Sequence, residues 1–273
     1  MKMNWRAMSA IIRKDLKVVS QNKGVVVPFI AVVVIFYAVV PALSALIPML
    51  VNGLGAGAGD IEKIITSLPA GLQQELSGLN LSQKATVFWL MYMMAPMFLV
   101  GPLMVAATIA ADGFAGEKER KTMEALLYTP TTDRELFVAK LLSAWLAAIL
   151  VAFVGFGLYS VVANAAAWPQ MKHIFFPNAV WLMLIIWVVP AVAGLGLSVM
   201  VLASARAQGF QDAYQLGGIV VLPMVGLFYV QIAGVLYFTM AVVALMGVVI
   251  WLINGLLIWL GSRSFRRNRL FGA

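Results

Sequence analysis

The chain has 273 residues, of which 63% are hydrophobic and 11% charged, with a formal net charge of +8 and no cysteine. A soluble domain carries about 25% charged residues, so this composition excludes one and indicates a polytopic membrane protein. The missing cysteines exclude a disulfide framework and a thiolate metal site. With no long polar stretch, residues 1–273 form a single membrane domain, and there is no solvated basic domain of the kind that binds nucleic acid.

Residues 1–23 read as an amphipathic helix rather than a cleaved signal. Trp5, Met8, Ile12, Leu16 and Val19 recur on one face, with Arg6, Arg13, Lys14 and Lys17 on the other. Such a helix lies in a membrane interface. It either orients the first span or acts as a lever against a cytoplasmic partner.

A bilayer crossing needs about 20 apolar residues. Six runs qualify: Gly24 to Leu50, Ala85 to Ala111, Leu136 to Ala165, Asn178 to Ala203, Leu216 to Leu236 and Tyr237 to Leu260. They are spans one to six. Lys140 is the only charged side chain inside any of these cores. The polar dip at Gln231 to Gly234 predicts a tight turn between spans five and six. Gly101-Pro102, Pro190 with Gly194 and Gly196, and Pro223 mark expected bends. Ala144, Ala148 and Ala152 predict close packing of span three on a neighbour.

The connections add little chemistry. "NGLGAGAG", Asn52 to Gly59, lacks the spacing of a dinucleotide fingerprint and reads as a flexible link. Ile61, Ile64, Ile65 and Leu68 predict a short surface helix ended by Pro69 and Gly71. His173, the single histidine, reads as structural. Trp89, Trp168 and Trp181 fit an aromatic belt. A phosphate-binding loop, a zinc-protease motif and a membrane-core carboxylate are all missing from the sequence.

Basic residues set the expected orientation. Six precede span one, four lie between spans two and three with Lys140 just inside span three, Arg206 follows span four, and Arg263, Arg266, Arg267 and Arg269 end the chain. The opposite side has only Lys63, Lys84 and Lys172. Lys and Arg favour the cytoplasmic side. Both termini are therefore expected in the cytoplasm, and the basic charge is expected to face anionic lipid headgroups.

The densest charge cluster is "FAGEKERKTMEALLYTP", Phe114 to Pro130, between spans two and three. As a helix it pairs Glu117 with Lys121 and Arg120 with Glu124 at i, i+4. Pro130 stops it, and Thr132 with Glu135 forms a capping box that opens span three. These residues alone allow either a solvated turn that holds the loop inside or a rigid knob offered to a partner.

This stretch resembles the signature of ABC type-2 permeases, the membrane subunits of ATP-binding-cassette exporters. Phe114, Glu117, Lys118, Glu119, Thr122, Met123, Glu124, Leu126, Leu127, Thr129 and Pro130 fall on the pattern. Lys140 matches the lysine of a following Gly-Lys pair, with Ala139 in place of the glycine. The motif wording leans toward the branch that includes sodium and drug exporters. The resemblance implies an all-α fold of six transmembrane helices, an N-terminal amphipathic interfacial helix and a short cytoplasmic coupling helix in the loop 114–130. That helix would dock on a separate ATPase, with Met123 and Leu127 buried in the partner's groove and Glu117, Glu119 and Arg120 at its rim. Glu124 and Pro130 complete the site. The working unit would contain two ATPase subunits and two permeases, a homodimer in the plasma membrane, with spans one, two and five lining the path. ATP and Mg would be bound by the ATPase, leaving this chain with no cofactor and no enzyme activity of its own. The expected cargo is an amphipathic peptide, lipid or drug, or sodium. An ATPase-independent channel or carrier and a membrane scaffold are the alternatives.

Overall fold

A computed structural model describes residues 4–46, 59, 62–63, 66, 68–120, 132–207 and 209–264. Among these the regular structure is helical, without strands. Six helices are long and apolar enough to cross a membrane: Phe29–Leu46, Leu81–Glu119, Arg134–Met171, Ala179–Arg206, Phe210–Ile232 and Met240–Gly261. An even number of crossings returns both chain ends to one side of the bundle.

Spans two and four form the centre. In their most apolar windows 83% and 78% of residues are buried, against 22–28% for the other four. Span two was expected on a path between two copies, yet it is enclosed by its own chain, while spans one and five remain open to the surroundings. Lipid is as apolar as leucine, so close packing of small residues holds such a bundle together. Ala106, Ala107 and Ala110 of span two meet Ala144 and Ala148 of span three and Ala193 of span four. Ala152, the third alanine of the predicted stripe, is also fully buried. At Gly196 a β-carbon would sit 2.5 Å from the Leu103 carbonyl oxygen, so spans two and four approach at backbone distance.

Prolines shape the spans through the carbonyls they leave unpaired. Proline lacks an N–H and crowds the carbonyl four residues earlier. Three π-helical segments lie just before one: Ile35–Val39 before Pro41, Phe88–Met93 before Pro96, and Leu184–Val188 before Pro190. Widening the helix there makes room for the ring. The helix Met94–Ala111 runs on through Pro102. The Phe98 carbonyl, which Pro102 cannot serve, accepts the Tyr37 hydroxyl of span one at 3.1 Å. Tyr37 enters a slot where Gly101 and Gly155 leave space; a β-carbon at either would overlap its ring or hydroxyl. Trp181 donates to the Met91 carbonyl at 2.8 Å and Tyr159 to Leu90 at 2.6 Å. In span five, the segment Gly218–Val221 is a 3-10 helix and Pro223 opens the α-helix that follows.

Several expectations change. Trp181 is not in an aromatic belt: it is fully buried among Phe98, Phe156, Tyr159 and Phe176. Trp168 is half exposed and fits the belt. Pro69 stands at the start of the helix Ala70–Glu75, and Gly71 lies inside that helix rather than ending the one before. Of the short helix expected before it, Ile61, Ile64 and Ile65 lie outside the described residues. Span five begins at Phe210 rather than Leu216 and ends at Ile232, where the predicted turn contains Gly234 in left-handed backbone. His173 Nδ1 lies 2.6 Å from the Met171 carbonyl oxygen, a local contact consistent with a structural role.

At the end of the bundle away from the charge cluster, Gln170 joins three spans. It accepts from Ser82 and Thr86 of span two and donates to the Ala45 carbonyl of span one. The N-terminal helix, Trp5–Gln21, lies at the charged end. Met8 and Ile11 bury themselves against Leu136 and Ala139 of span three. Trp5, predicted on the buried face, is exposed. The inward face of this helix is thus taken up by its own chain.

Candidate functional site

Span three starts where the capping box places it. Glu135 Oε2 accepts from the Thr132 N–H and hydroxyl, both at 2.9 Å, and the Glu135 N–H donates to Thr132 Oγ1 at 3.3 Å. The other carboxylate oxygen accepts the Asn4 N–H at 2.7 Å. Asn4 in turn caps the N-terminal helix by accepting from the Ala7 N–H. One glutamate therefore fixes the first turns of two helices.

Two turns further along, Lys140 is almost fully enclosed. A buried ammonium is tolerated only when paired and hydrogen-bonded. Its Nζ lies 2.6 Å from Glu117 Oε2 and 2.9 Å from the Gly113 carbonyl oxygen. Glu117, buried too, is shared: its Oε1 is 3.3 Å from Lys14 Nζ. Lys14 also faces Asp15 at 3.3 Å, and Asp15 accepts the Ser143 hydroxyl. Burial pulls the Lys14 pKa down, but the fields of Glu117 and Asp15 and their hydrogen bonds outweigh it, leaving the ammonium above its ordinary value. A cavity of about 30 Å³ lies among Asp15, Asp112, Glu117, Arg120, Lys140 and Ser143. Polar and this size, it suits one water.

The next three residues each engage another part of the chain. Lys118 Nζ lies 3.4 Å from the Ala207 carbonyl, just past span four. The Phe210 N–H, at the start of span five, donates to Glu119 Oε2 at 2.9 Å. Arg120 Nη1 is 2.9 Å from Asp112 Oδ1 of span two. Four consecutive charged residues thus join the N-terminal helix and spans two, three, four and five at one end of the bundle.

Glu117, Glu119 and Arg120 were placed at the rim of a partner's groove, and here their side chains are engaged by their own chain. The helical pairs Glu117–Lys121 and Arg120–Glu124 involve partners outside the described residues; the observed partners of Glu117 are Lys140 and Lys14, and that of Arg120 is Asp112. Met123, Glu124, Leu127 and Pro130 also lie outside the described residues. Sequence reasoning missed Lys14, Asp15, Asp112 and Ser143. Lys140 was the available signal: a lone charge in an apolar span demands a counter-charge, and Glu117 is the carboxylate one span away.

The arrangement braces the two helix ends that flank residues 121–131. No group of three or more acidic or histidine side chains able to hold a metal occurs among the described residues. The segment 121–131 leaves one fixed helix end and returns to another. A family model, ABC-2 family transporter protein, matches residues 9–267. Neither a curated protein nor a solved structure matches the chain. With six apolar spans and a family match over nearly its whole length, the chain belongs to the ABC-2 family of transporter proteins and is a multi-pass membrane permease.

Proposed function

We propose that this chain is the permease subunit of an exporter driven by a separate ATPase, and that residues 121–131 carry the docking surface. The observation that supports this most is the mounting of that segment. It emerges from Glu117–Arg120, held by Lys140, Lys14, Phe210 and Asp112, and re-enters at the Thr132–Glu135 cap. A load applied there reaches four spans and the N-terminal helix without a compliant linker. In this reading Met123 and Leu127 are the apolar anchors, Glu124 and Pro130 complete the site, and Glu117, Glu119 and Arg120 form its fixed base.

The charge asymmetry supports an orientation with this end and both termini in the cytoplasm, in the plasma membrane. ATP and Mg are bound by the ATPase. Two copies of the permease face each other, with two ATPases below them, and the open faces of spans one and five supply the contact between copies. The cargo class is amphipathic. A cavity of about 640 Å³ between spans four, five and six, lined by Leu195, Val199, Met224, Leu227, Ile250 and Leu257 among other apolar residues, suits hydrocarbon better than sodium.

The test is co-expression of the tagged chain with ABC ATPase subunits from the same genome, followed by purification and reconstitution. Co-purification of an ATPase whose hydrolysis is stimulated by a lipid-like or drug-like amphiphile is the expected result. A chain that purifies alone and conducts or exchanges solute without ATP would overturn the reading.

A further inference from the structure

The mounting described above has one contact that does more than hold the loop. The helix that opens span five, Phe210–Gly217, has glycine at its N-cap and so no capping side chain of its own. The first N–H groups of a helix lack internal partners, and the helix end is electropositive. A carboxylate from elsewhere in the chain fills the role: Glu119 accepts the Phe210 N–H. Gly209 lies in extended backbone that any residue adopts. A β-carbon there would sit 2.6 Å from Glu119 Oε2 and 2.9 Å from its Cδ, so a larger residue would displace the carboxylate. Beside this contact, Lys118 reaches the Ala207 carbonyl and Arg120 pins the same turn back to Asp112.

We propose that Glu119 is a positioning residue that ties the start of span five to the docking segment, so that displacement of residues 121–131 moves span five as well as spans two and three. The proposal rests on the docking role given above. Because the cap is supplied across the chain, span five begins in register only while Glu119 stays in place. A helix capped by its own N-cap residue would start independently of the loop. Span five is also one of the outer spans, with an open apolar groove between it and spans four and six.

The alternative is that Glu119 only stabilises one helix end. Supplying a local cap separates the two roles. Removing the Glu119 carboxylate makes room at position 209, and aspartate is a strong N-cap residue. Spin labels are attached to Gln211→Cys in span five and Arg134→Cys in span three, both exposed, in the cysteine-free chain in lipid nanodiscs. Electron–electron resonance reads the distance between them. A narrow distribution is expected for the parent and for Glu119→Gln, which keeps an acceptor oxygen. A broadened or shifted one is expected for Glu119→Ala and also for Glu119→Ala/Gly209→Asp, where the helix is capped but untied. An unchanged distribution in Glu119→Ala, or its full return in the double variant, overturns the proposal. With the nucleotide-loaded ATPase bound, the parent distance shifts; the double variant loses that shift together with transport per ATP hydrolysed. If no ATPase binds the parent chain, the docking role fails separately, and the distances in the chain alone still decide whether Glu119 is a tether.

Discussion

Replacing Lys140 by methionine removes a charge that the structure seals away, and the consequence can be worked out. The Lys140 side chain is 1% exposed and that of its partner Glu117 9%. Methionine keeps the length of the side chain and its apolar contacts, including the neighbouring Phe114 ring. Glu117 would stay buried without its 2.6 Å partner, and the Lys14 that also faces it is 47% exposed. The Gly113 carbonyl would also lose its donor. Breaking a buried ion pair from one side costs about 3–5 kcal/mol. The surviving Lys14 contact places this case near about 3 kcal/mol. In a chain of this size each kcal/mol moves the midpoint by about 2–4 °C, so Lys140→Met should melt about 6–12 °C below the parent. Glu117→Gln alone strands the lysine and should also destabilise. The double variant Lys140→Met/Glu117→Gln removes both charges and should recover most of the loss, leaving a coupling of about 2 kcal/mol or more in the cycle. Thermal unfolding in one detergent, followed by intrinsic tryptophan fluorescence, measures all four proteins. A midpoint for Lys140→Met within about 2 °C of the parent, or additive losses in the double variant, would refute the buried-pair reasoning.

Other outcomes follow from the same structure. Tyr37→Phe leaves the Phe98 carbonyl buried without its donor and should cost about 1–3 kcal/mol. In a Pro102→Ala background the restored N–H can serve that carbonyl, so the same substitution should cost much less; equal losses in both backgrounds would count against the pairing. For topology, Ser77→Cys should react with an impermeant thiol reagent in intact cells, whereas Ala125→Cys and Ser264→Cys should react only after lysis. Labelling of Ala125→Cys in intact cells would invert the orientation.

What the sequence disclosed and what it concealed divide along range. The Thr132–Glu135 cap, the turn after Gln231 and the Ala144, Ala148, Ala152 stripe are local patterns, and each is found where the spacing placed it. The limits of spans two and three are not local. A hydropathy reading stops at Ala111 and resumes at Leu136 because charges intervene, yet the helices run on to Glu119 and from Asp133. Glu117 and Lys140 neutralise each other across two spans, a partnership that a window along one helix cannot register. The i, i+4 rule offers Glu117 a partner at Lys121, which lies outside the described residues, whereas the tertiary contacts to Lys140 and Lys14 have no counterpart in local spacing. Trp181 was read by residue type as interfacial. Its burial depends on which carbonyls the Pro96 region frees, and that becomes visible only when spans two and four are side by side. Pro69 was read as a stop, and it also stands at the start of the helix Ala70–Glu75, a place that proline favours.

The docking role of residues 121–131 is tested most directly by Leu127→Asp in the co-expressed complex. Central apolar anchors carry most interface energy, often about 2 kcal/mol or more each, which is roughly a 30-fold loss of affinity. The control is Lys84→Ala, on the opposite side of the bundle. The proposed role predicts that Leu127→Asp inserts normally, melts like the parent, and loses the ATPase in a pull-down or binds it without stimulating hydrolysis, while Lys84→Ala does neither. A Leu127→Asp chain that keeps its ATPase and full substrate stimulation would contradict docking and leave the charge cluster as an orientation signal and an internal brace.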